Sequence, residues 1–444
     1  MSFYKYFQKP VWISLILMLL AQGCAANPTP SASLSQGSSL AVSKLARISN
    51  PSVPQSDQDA LSAGNRAFSA DLYQKLRSGS GNLFFSPYSI SLALAMTYGG
   101  AQAETASQMA TAMHFTLPAD KLHPAFNALD QYLQAQGGTG SNQQPTPTSG
   151  SGQDFQLAIA NAIWGQKGFD FLPAYLDLLS QNYGAGLRLV DFSTAPEPAR
   201  KTINDWVSQQ TKNKIQDLFP QGTIDSNTRL VLANAIYFKA SWSSPFEESN
   251  TQNGPFHLLN GTTVNVPLMV SGHTANSFEK GDGFQAVGLP YLGENVEMVV
   301  VVPDEGTFSA FEASLDAAKL DQILKGLNGA EVDLTLPKFK TESSFSLSDT
   351  LASMGMPDAF NADKADFSGM DGKKDLSISQ VLHKAYVNVD EKGTEAAAAT
   401  GVAMTASAVF NPPILKVDRP FVFFIYDQKS GTILFAGREL NPAQ

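Results

Sequence analysis

Cysteine is close to absent: Cys24 is the single thiol in 444 residues. No disulfide can form within one molecule, and no cluster of thiolates can hold zinc. Histidine is scarce too. His114, His123, His257, His273 and His383 are scattered and offer no close pair of ligands, so zinc and haem sites are not expected. Basic residues are outnumbered, 30 Lys and Arg against 40 Asp and Glu, for a net charge of −10. A nucleic-acid partner calls for a basic patch, and none is expected here. Acidic residues are missing from the first 56 positions. Four of the 30 basic residues precede Asp57, which leaves 26 basic against 40 acidic groups in the body, or −14. That excess bears on solubility and not on fold. Gly-x-Ser-x-Gly and His-Glu-x-x-His, marks of hydrolytic nucleophiles and metalloproteases, do not occur. Gly281-x-Gly283-x-x-Ala286 imitates a dinucleotide fingerprint, but residues 287–290 read as strand where that fingerprint needs a helix. Neither catalysis nor a cofactor is expected.

What is present begins with a targeting segment. Lys5 and Lys9 precede an apolar run of 11 residues, 11–21, too short to span a bilayer and suited to a signal peptide. It ends Leu20-Ala21-Gln22-Gly23-Cys24, which resembles a bacterial lipobox, with Ala21 where leucine is commoner. Residues 1–23 are therefore expected to be a lipoprotein-type signal peptide and Cys24 the acylated residue. The plain alternative is an ordinary cleavage near Ala25. Acyl chains, at ~0.8 kcal/mol per buried methylene, would hold the protein on a membrane. Residues 24–56, rich in Ser, Pro, Ala and Asn and without periodicity, read as a disordered tether. The expected location is that of an exported, membrane-anchored lipoprotein facing the periplasm or the cell exterior.

The remainder, 57–444, suits one large domain. Leu61, Phe68, Leu72 and Leu76 have helical spacing behind a candidate cap at Ser56 or Asp57. Residues 82–90 read as a strand stub and then a helix, capped by Ser86 with Pro87 in its first turn, running to Gly99-Gly100. A second helix is expected over 104–114. Residues 137–153, all Gly, Ser, Thr, Gln, Asn or Pro, read as a flexible surface insertion. Residues 230–238, 296–302, 332–339 and 376–389 read as strands, and 421–426 with 432–437 as a hairpin. Helices and strands mixed without regular βαβ alternation favour the α+β class.

The most informative stretch is 387–413. Tyr386, Asn388 and Asp390 alternate with Val387 and Val389, the period of a strand. Past Gly393 the residues are nearly all small, with no ring and no Lys or Arg before Phe410, up to Pro412-Pro413. A short capped helix over the alanines and an idle linker are the plain readings. A strand in waiting explains more. In an extended chain Thr394, Ala396, Ala398 and Thr400 share one face and fit beneath a crowded sheet, while Glu395 points to solvent. A loop able to join its own sheet is the serpin device, and this stretch closely resembles the hinge and reactive loop of inhibitory serpins. The run 82–90 and Asn234-Ala-Ile-Tyr-Phe-Lys239-x-x-Trp242 carry the same resemblance, which covers about residues 57–443.

The resemblance implies a serpin fold of about nine helices, a dominant five-stranded sheet with two smaller ones, and an exposed reactive-centre loop over 391–413. It implies a monomeric, irreversible suicide-substrate inhibitor of serine proteases, not an enzyme, forming a covalent 1:1 complex without a cofactor. The hinge would comprise Glu391, Gly393, Thr394, Ala396, Ala398 and Thr400. The breach, where the loop first enters the sheet, would comprise Trp242 and an exposed Lys338–Glu391 pair. The shutter under the sheet centre would comprise Ser86, Ser89, Asn234 and His383, each of which could equally be a satisfied buried polar group. Counting forward from Glu391 puts the reactive bond at Ser407-Ala408. Counting back from Pro412-Pro413 and Pro420-Phe421 puts it after Val409, before Phe410. Small residues there suit elastase- or subtilisin-like pockets, and trypsin-like enzymes find no Lys or Arg between Gly393 and Pro413. A non-inhibitory carrier or chaperone of the same family and a cross-class inhibitor of cysteine proteases stay open. One consequence is directly testable: Cys24→Ser should release the protein from the membrane fraction, and unchanged sedimentation would rule out a lipid on that thiol.

Overall fold

A computed structural model describes residues 37–136, 155–293, 295–395 and 412–444. The expected signal peptide, Cys24, the 137–153 insertion and loop residues 396–411 lie outside the described residues. In chain order the first elements are β1 (Ser39–Ala41), α1 (Gln55–Leu76), β2 (Leu83–Phe85), α2 (Pro87–Tyr98), α3 (Ala103–Ala112) and α4 (Ala119–Gln136). Next come β3 (Phe155–Gln166), α5 (Pro173–Tyr183), β4 (Leu187–Val190), α6 (Pro196–Gln210) and β5 (Leu230–Ser241). A strand-rich stretch follows: β6 (Gln252–His257), β7 (Thr263–Gly281), β8 (Phe284–Pro290) and β9 (Val296–Pro303). Two helices, α7 (Phe308–Ala313) and α8 (Ala317–Gly326), lead to β10 (Asn328–Pro337), β11 (Phe339–Ser346), α9 (Ser348–Ser353) and α10 (Ser368–Asp371). The chain closes with β12 (Ile378–Asp390), β13 (Gly393–Thr394), β14 (Ile414–Lys416), β15 (Phe421–Asp427) and β16 (Thr432–Glu439).

The large sheet has the order β1-β4-β3-β5-β13-β12-β11. The resemblance implied five strands here, and of the strands read from sequence β5 and β12 lie in this sheet. β1 and β13 are extra, and they come from segments read as tether and as loop. The other strands form one nine-stranded sheet and not two small ones. The reason is β7: its 19 residues pair with β6 near Thr263, with β10 along the middle and with β8 near Gly281, so one long strand joins both. The expected strand 332–339 is likewise two. Pro337 ends β10 in the second sheet, and after Lys338 the chain re-enters the large sheet as β11.

α2 explains how the layers meet. Ser86 Oγ accepts the Ser89 N–H at 3.1 Å and Pro87 occupies the first turn, so the helix start is fixed locally. Ile90, Leu92, Leu94 and Met96 are all buried, as in a helix that is apolar on every side and must sit inside. Beside it Phe84 stacks on Phe435 at 5.0 Å and on Phe423 at 5.8 Å, tying β2 to the second sheet. The cap expected at Ser56 or Asp57 is not found: α1 begins at Gln55 behind Pro54 with no side-chain cap, and Asp57 is buried.

The tether reading of 24–56 fails for its second half. β1 pairs antiparallel with β4, and the strap that follows is bound to α4 and α5. Ser43 Oγ donates to Asp177, Ser180 Oγ donates to the Leu45 carbonyl, and the Ile48 N–H donates to Gln181 O at 2.9 Å. Arg47 donates to Asn127 Oδ1 at 2.8 Å and to the buried Asp130 at 2.6 Å. A segment of low hydrophobicity can be held when its polar groups find partners, which composition does not reveal. Arg47→Ala would leave Asp130 buried with weaker partners, Tyr88 Oη at 3.3 Å and Gln134 Nε2 at 2.9 Å. It should cost about 1–3 kcal/mol in denaturant unfolding, whereas an idle tether predicts no change.

Candidate functional site

The site is a slot in the large sheet. β5 and β12 are neighbours and run parallel, paired from Leu230 with Ile378 to Tyr237 with Tyr386. Beyond Tyr237 they part, and β13 lies between them, antiparallel to both: Thr394 pairs with Ala240 and Val389, Gly393 with Ser241 and Asp390. Only glycine fits at 393. Its φ is +147°, and a Cβ there would sit 2.1 Å from the Ala240 carbonyl oxygen. Thr394 is fully buried, its hydroxyl 2.7 Å from that of Tyr291. Tyr291 stacks on Trp242 at 4.5 Å and 13°. Trp242 Nε1 donates to Asp390 O at 3.0 Å, and its backbone N–H donates to Lys392 O at 2.9 Å. The hinge is thus part-seated, and Trp242 closes the tight turn over Lys392.

Glu391 and Lys338 meet at 2.8 Å. The expected exposed pair is in fact one-sided: Lys338 is half-exposed and Glu391 is buried, because Glu391 also accepts Thr251 Oγ1 at 2.7 Å. Burial pushes the Glu391 carboxyl up, but the hydrogen bonds from Lys338 and Thr251 outweigh it and hold it below the ordinary range. Its neighbour Asp390 is pushed up by burial, aided by the like charge of Glu391. Glu248, Thr251 and Lys392 complete a polar cleft of about 430 Å³ around these groups.

Glu395 does not face solvent as expected. It takes a left-handed φ of +48° and forms an ion pair with Lys214, whose ammonium lies 5.6 Å over the Tyr237 ring. Further extension of β13 as a strand requires that residue to leave this conformation. Ala396, Ala398 and Thr400 of the expected hinge, and the bond candidates Ser407, Ala408, Val409 and Phe410, lie outside the described residues.

Lower in the slot, Ser86, Ser89, Asn234 and His383 come together. His383 Nδ1 bonds Asn234 Oδ1 across the β5–β12 seam, and its Nε2 accepts the Ser86 N–H at 3.1 Å. Asn234 Nδ2 donates to Ser89 Oγ at 2.7 Å and to Asn161 Oδ1 at 2.5 Å. Asn161, on β3, returns a bond to Ser89 O at 3.0 Å. Sequence reasoning missed Asn161, although it interrupts the small and apolar run 158–164 as Asn234 interrupts 230–238. Tyr291, Thr251 and Lys214 gave no local signal, because each joins the site only through the sheet.

Comparison with known proteins now adds to the geometry. The family model described as "Serpin (serine protease inhibitor)" matches residues 63–442. An uncharacterized serpin-like protein of Thermococcus kodakarensis is 40% identical over 403 residues, covering 88% of this chain and 89% of its own. The leukocyte elastase inhibitor of Homo sapiens is 38% identical over 394 residues, covering 86% of this chain and all of its own. Among solved structures, the thermophilic serpin tengpin in its native state superposes with a TM-score of 0.77 at 29% identity, covering 89% of this chain and 97% of its own. Uncleaved ovalbumin superposes at 0.76 with 26% identity, covering 86% and 100%.

The seam carries a pH signature. Burial lowers His383 to about 3 and His123 to about 4, so both are neutral in the folded protein. A histidine depressed on folding contributes stability that is full above its unfolded value of roughly 6.5 and is lost as pH falls toward the folded value. Burial raises Glu439 to about 8, and that group acts oppositely between pH 5 and 7. The His383 share is isolated by difference. From pH 7 to 5, wild type should lose about 2 kcal/mol more in urea unfolding than His383→Gln, at ~1.36 kcal/mol per unit. Parallel pH profiles would mean that His383 takes up its proton as readily in the folded seam as in the unfolded chain.

Proposed function

The chain belongs to the serpin family of serine protease inhibitors, and from that premise we propose that it is an irreversible suicide-substrate inhibitor of elastase- or subtilisin-like serine proteases. The observation that carries the reading is β13, two hinge residues already lying antiparallel between the parallel strands β5 and β12. The protease serine oxygen attacks the Ser407 carbonyl carbon. The bond to Ala408 nitrogen breaks, that nitrogen takes the proton, and an ester joins Ser407 to the enzyme. The freed end then zips down the slot, with Lys338, Trp242 and Glu391 at its entrance and the seam of Ser86, Ser89, Asn234 and His383 opening ahead of it.

Geometry supports the length. Each step along β13 moves one residue down β5, so continuing from Thr394 opposite Ala240 sets residue 404 opposite Leu230. Ser407 then lies three residues past the strand. The 14 residues from 394 to 407 would span roughly 46 Å at about 3.3 Å each, which carries an esterified protease from one end of the sheet to the other. Small Ser407, Ala408 and Val409 suit the primary pockets of the named protease class, in keeping with the elastase inhibitors among the relatives. The mature protein acts as a monomer, held on a membrane through acylated Cys24.

Two measurements test this. Mixing with elastase or subtilisin should give an SDS-resistant 1:1 complex and a released peptide beginning at Ala408 or within two residues of it. A best-trapped trypsin-like enzyme, or a peptide beginning at Asn411 or later, would show the assignment wrong, and cleavage without any complex would favour a carrier or chaperone. Thr394→Arg should fold and be cleaved but trap far less enzyme, because a guanidinium at that fully buried position has no partner. Equal stoichiometry for mutant and wild type would sink the insertion step.

A further inference from the structure

We propose that the strap after β1 seats the body on the membrane, with Val42, Leu45 and Ile48 resting in the bilayer interface. The inference takes its anchor from the proposed acylation of Cys24, and its test does not depend on that acylation.

The strap is turned the wrong way round for a segment that stabilises only its own domain. Three of its polar groups face inward and are satisfied: Ser43 on Asp177, Arg47 on Asn127 and Asp130, Ile48 O on Asn127 and Gln131. Its large apolar side chains face outward, Val42 at 51% exposure, Leu45 at 46% and Ile48 at 44%. Among the described residues eight large apolar side chains are exposed, and three of them fall in these seven positions. Exposure here is not looseness, because the backbone between them is pinned to α5 by Ser180 and Gln181. An apolar face held outward on a fixed frame calls for an apolar partner.

Position in the chain says which partner. From Cys24 to Gly37 there are thirteen Cα steps, so the two are at most about 43–47 Å apart in any conformation. An acyl group on Cys24 therefore keeps the strap close to a bilayer and makes its contact effectively intramolecular. Charge agrees. Residues 25–56 contain no Asp or Glu, and Lys44 is exposed among the three apolar residues, on a body that is otherwise acidic. Seating at this edge leaves the loop free. Ala41 is level, through Leu187 and strand β3, with Leu232, eight residues along β5 from the loop base at Ala240. That is roughly 26 Å along the sheet.

Cys24→Ser removes the only thiol, so single cysteines can be placed at will. The mature chain carrying Cys24→Ser with Leu45→Cys or Ile48→Cys, labelled with an environment-sensitive fluorophore, is held by an N-terminal histidine tag on phosphatidylcholine vesicles containing a nickel-chelating lipid. Ser344→Cys, exposed on β11 at the far edge of the same sheet, is the reference. Labels at 45 and 48 should shift to the blue and be quenched by lipid-borne quenchers, and the label at 344 should do neither. Val42→Ser with Ile48→Gln should reduce the fraction seated at position 45 at least tenfold while the tag keeps the protein on the vesicle. Equal solvent exposure at 45, 48 and 344 on vesicles overturns the proposal. A concentration-dependent shift without vesicles also overturns it, and would assign the face to a second copy of the chain. Because the tag replaces the acyl group, unchanged sedimentation of Cys24→Ser would refute the lipid and leave this result standing.

Discussion

Two parallel strands lying side by side, β5 and β12, are the constraint on which the rest depends. Parallel pairing is slightly weaker per residue than antiparallel pairing. A third strand entering between them antiparallel exchanges one parallel ladder for two antiparallel ones. The chain already makes that exchange for two residues, at Gly393 and Thr394. Connectivity limits how much further it could go: residues 414–416 are tied down as β14, paired with β10 from Asp333 to Thr335. An intact loop held at both ends cannot run the length of the slot, and a cut one can. On the proposed mechanism the sheet would act as a spring set by topology, with the Glu395–Lys214 pair as the first contact to be undone.

The polar groups under the slot fit that requirement. A seam that opened as proposed could not rely on apolar interdigitation alone, since parting it would expose a continuous apolar surface. Among the described residues one side-chain bond, His383 to Asn234, links β12 to β5 in mid-seam. When it breaks, Asn234 still has Ser89 and Asn161, and His383 still has Ser86. Those bonds use Asn234 Nδ2 and His383 Nε2, so breaking the cross-strand bond leaves Asn234 Oδ1 and the His383 Nδ1–H without the partner they have here, at about 1–3 kcal/mol for each buried group left unsatisfied. Parting the strands would also break the parallel backbone ladder from Leu230 to Tyr237, while the bonds of Asn234 Nδ2 to Ser89 and Asn161 and of His383 Nε2 to Ser86 would stay in place. The seam also depends on a neutral imidazole. Burial enforces that state, so protonation and opening draw on the same desolvation.

The strap adds a second edge to the same sheet. β1 extends the large sheet beyond β4, far from β11, and covers an edge that would otherwise offer unpaired backbone groups. Hydrogen bonds to α4 and α5 hold the strap's middle, where Val42, Leu45 and Ile48 stay exposed. Its attachment and its outward apolar face are one arrangement, seen from its two sides.

By itself the sequence determined the parts whose cause is local. Strand alternation before Gly393, the small residues after it, the Ser-Pro start of α2 and the apolar runs of β5 and β9 are each written in a few consecutive residues. The family resemblance rests on those runs, and the polar residues within them, Ser86, Asn234 and His383, are visible as interruptions. Tertiary structure alone decided what depends on neighbours distant in the chain. Glu391 is buried because Thr251 and Lys338, 140 and 53 positions away, both donate to it. Glu395 turns to Lys214 because the turn after α6 brings that lysine beside Tyr237. β7 joins two sheets because a 19-residue strand can pair with three partners along its length, and no local pattern records with which. Residues 37–54 looked like tether because composition measures apolar content. They are held by hydrogen bonds to side chains on two helices that only the folded chain brings within reach.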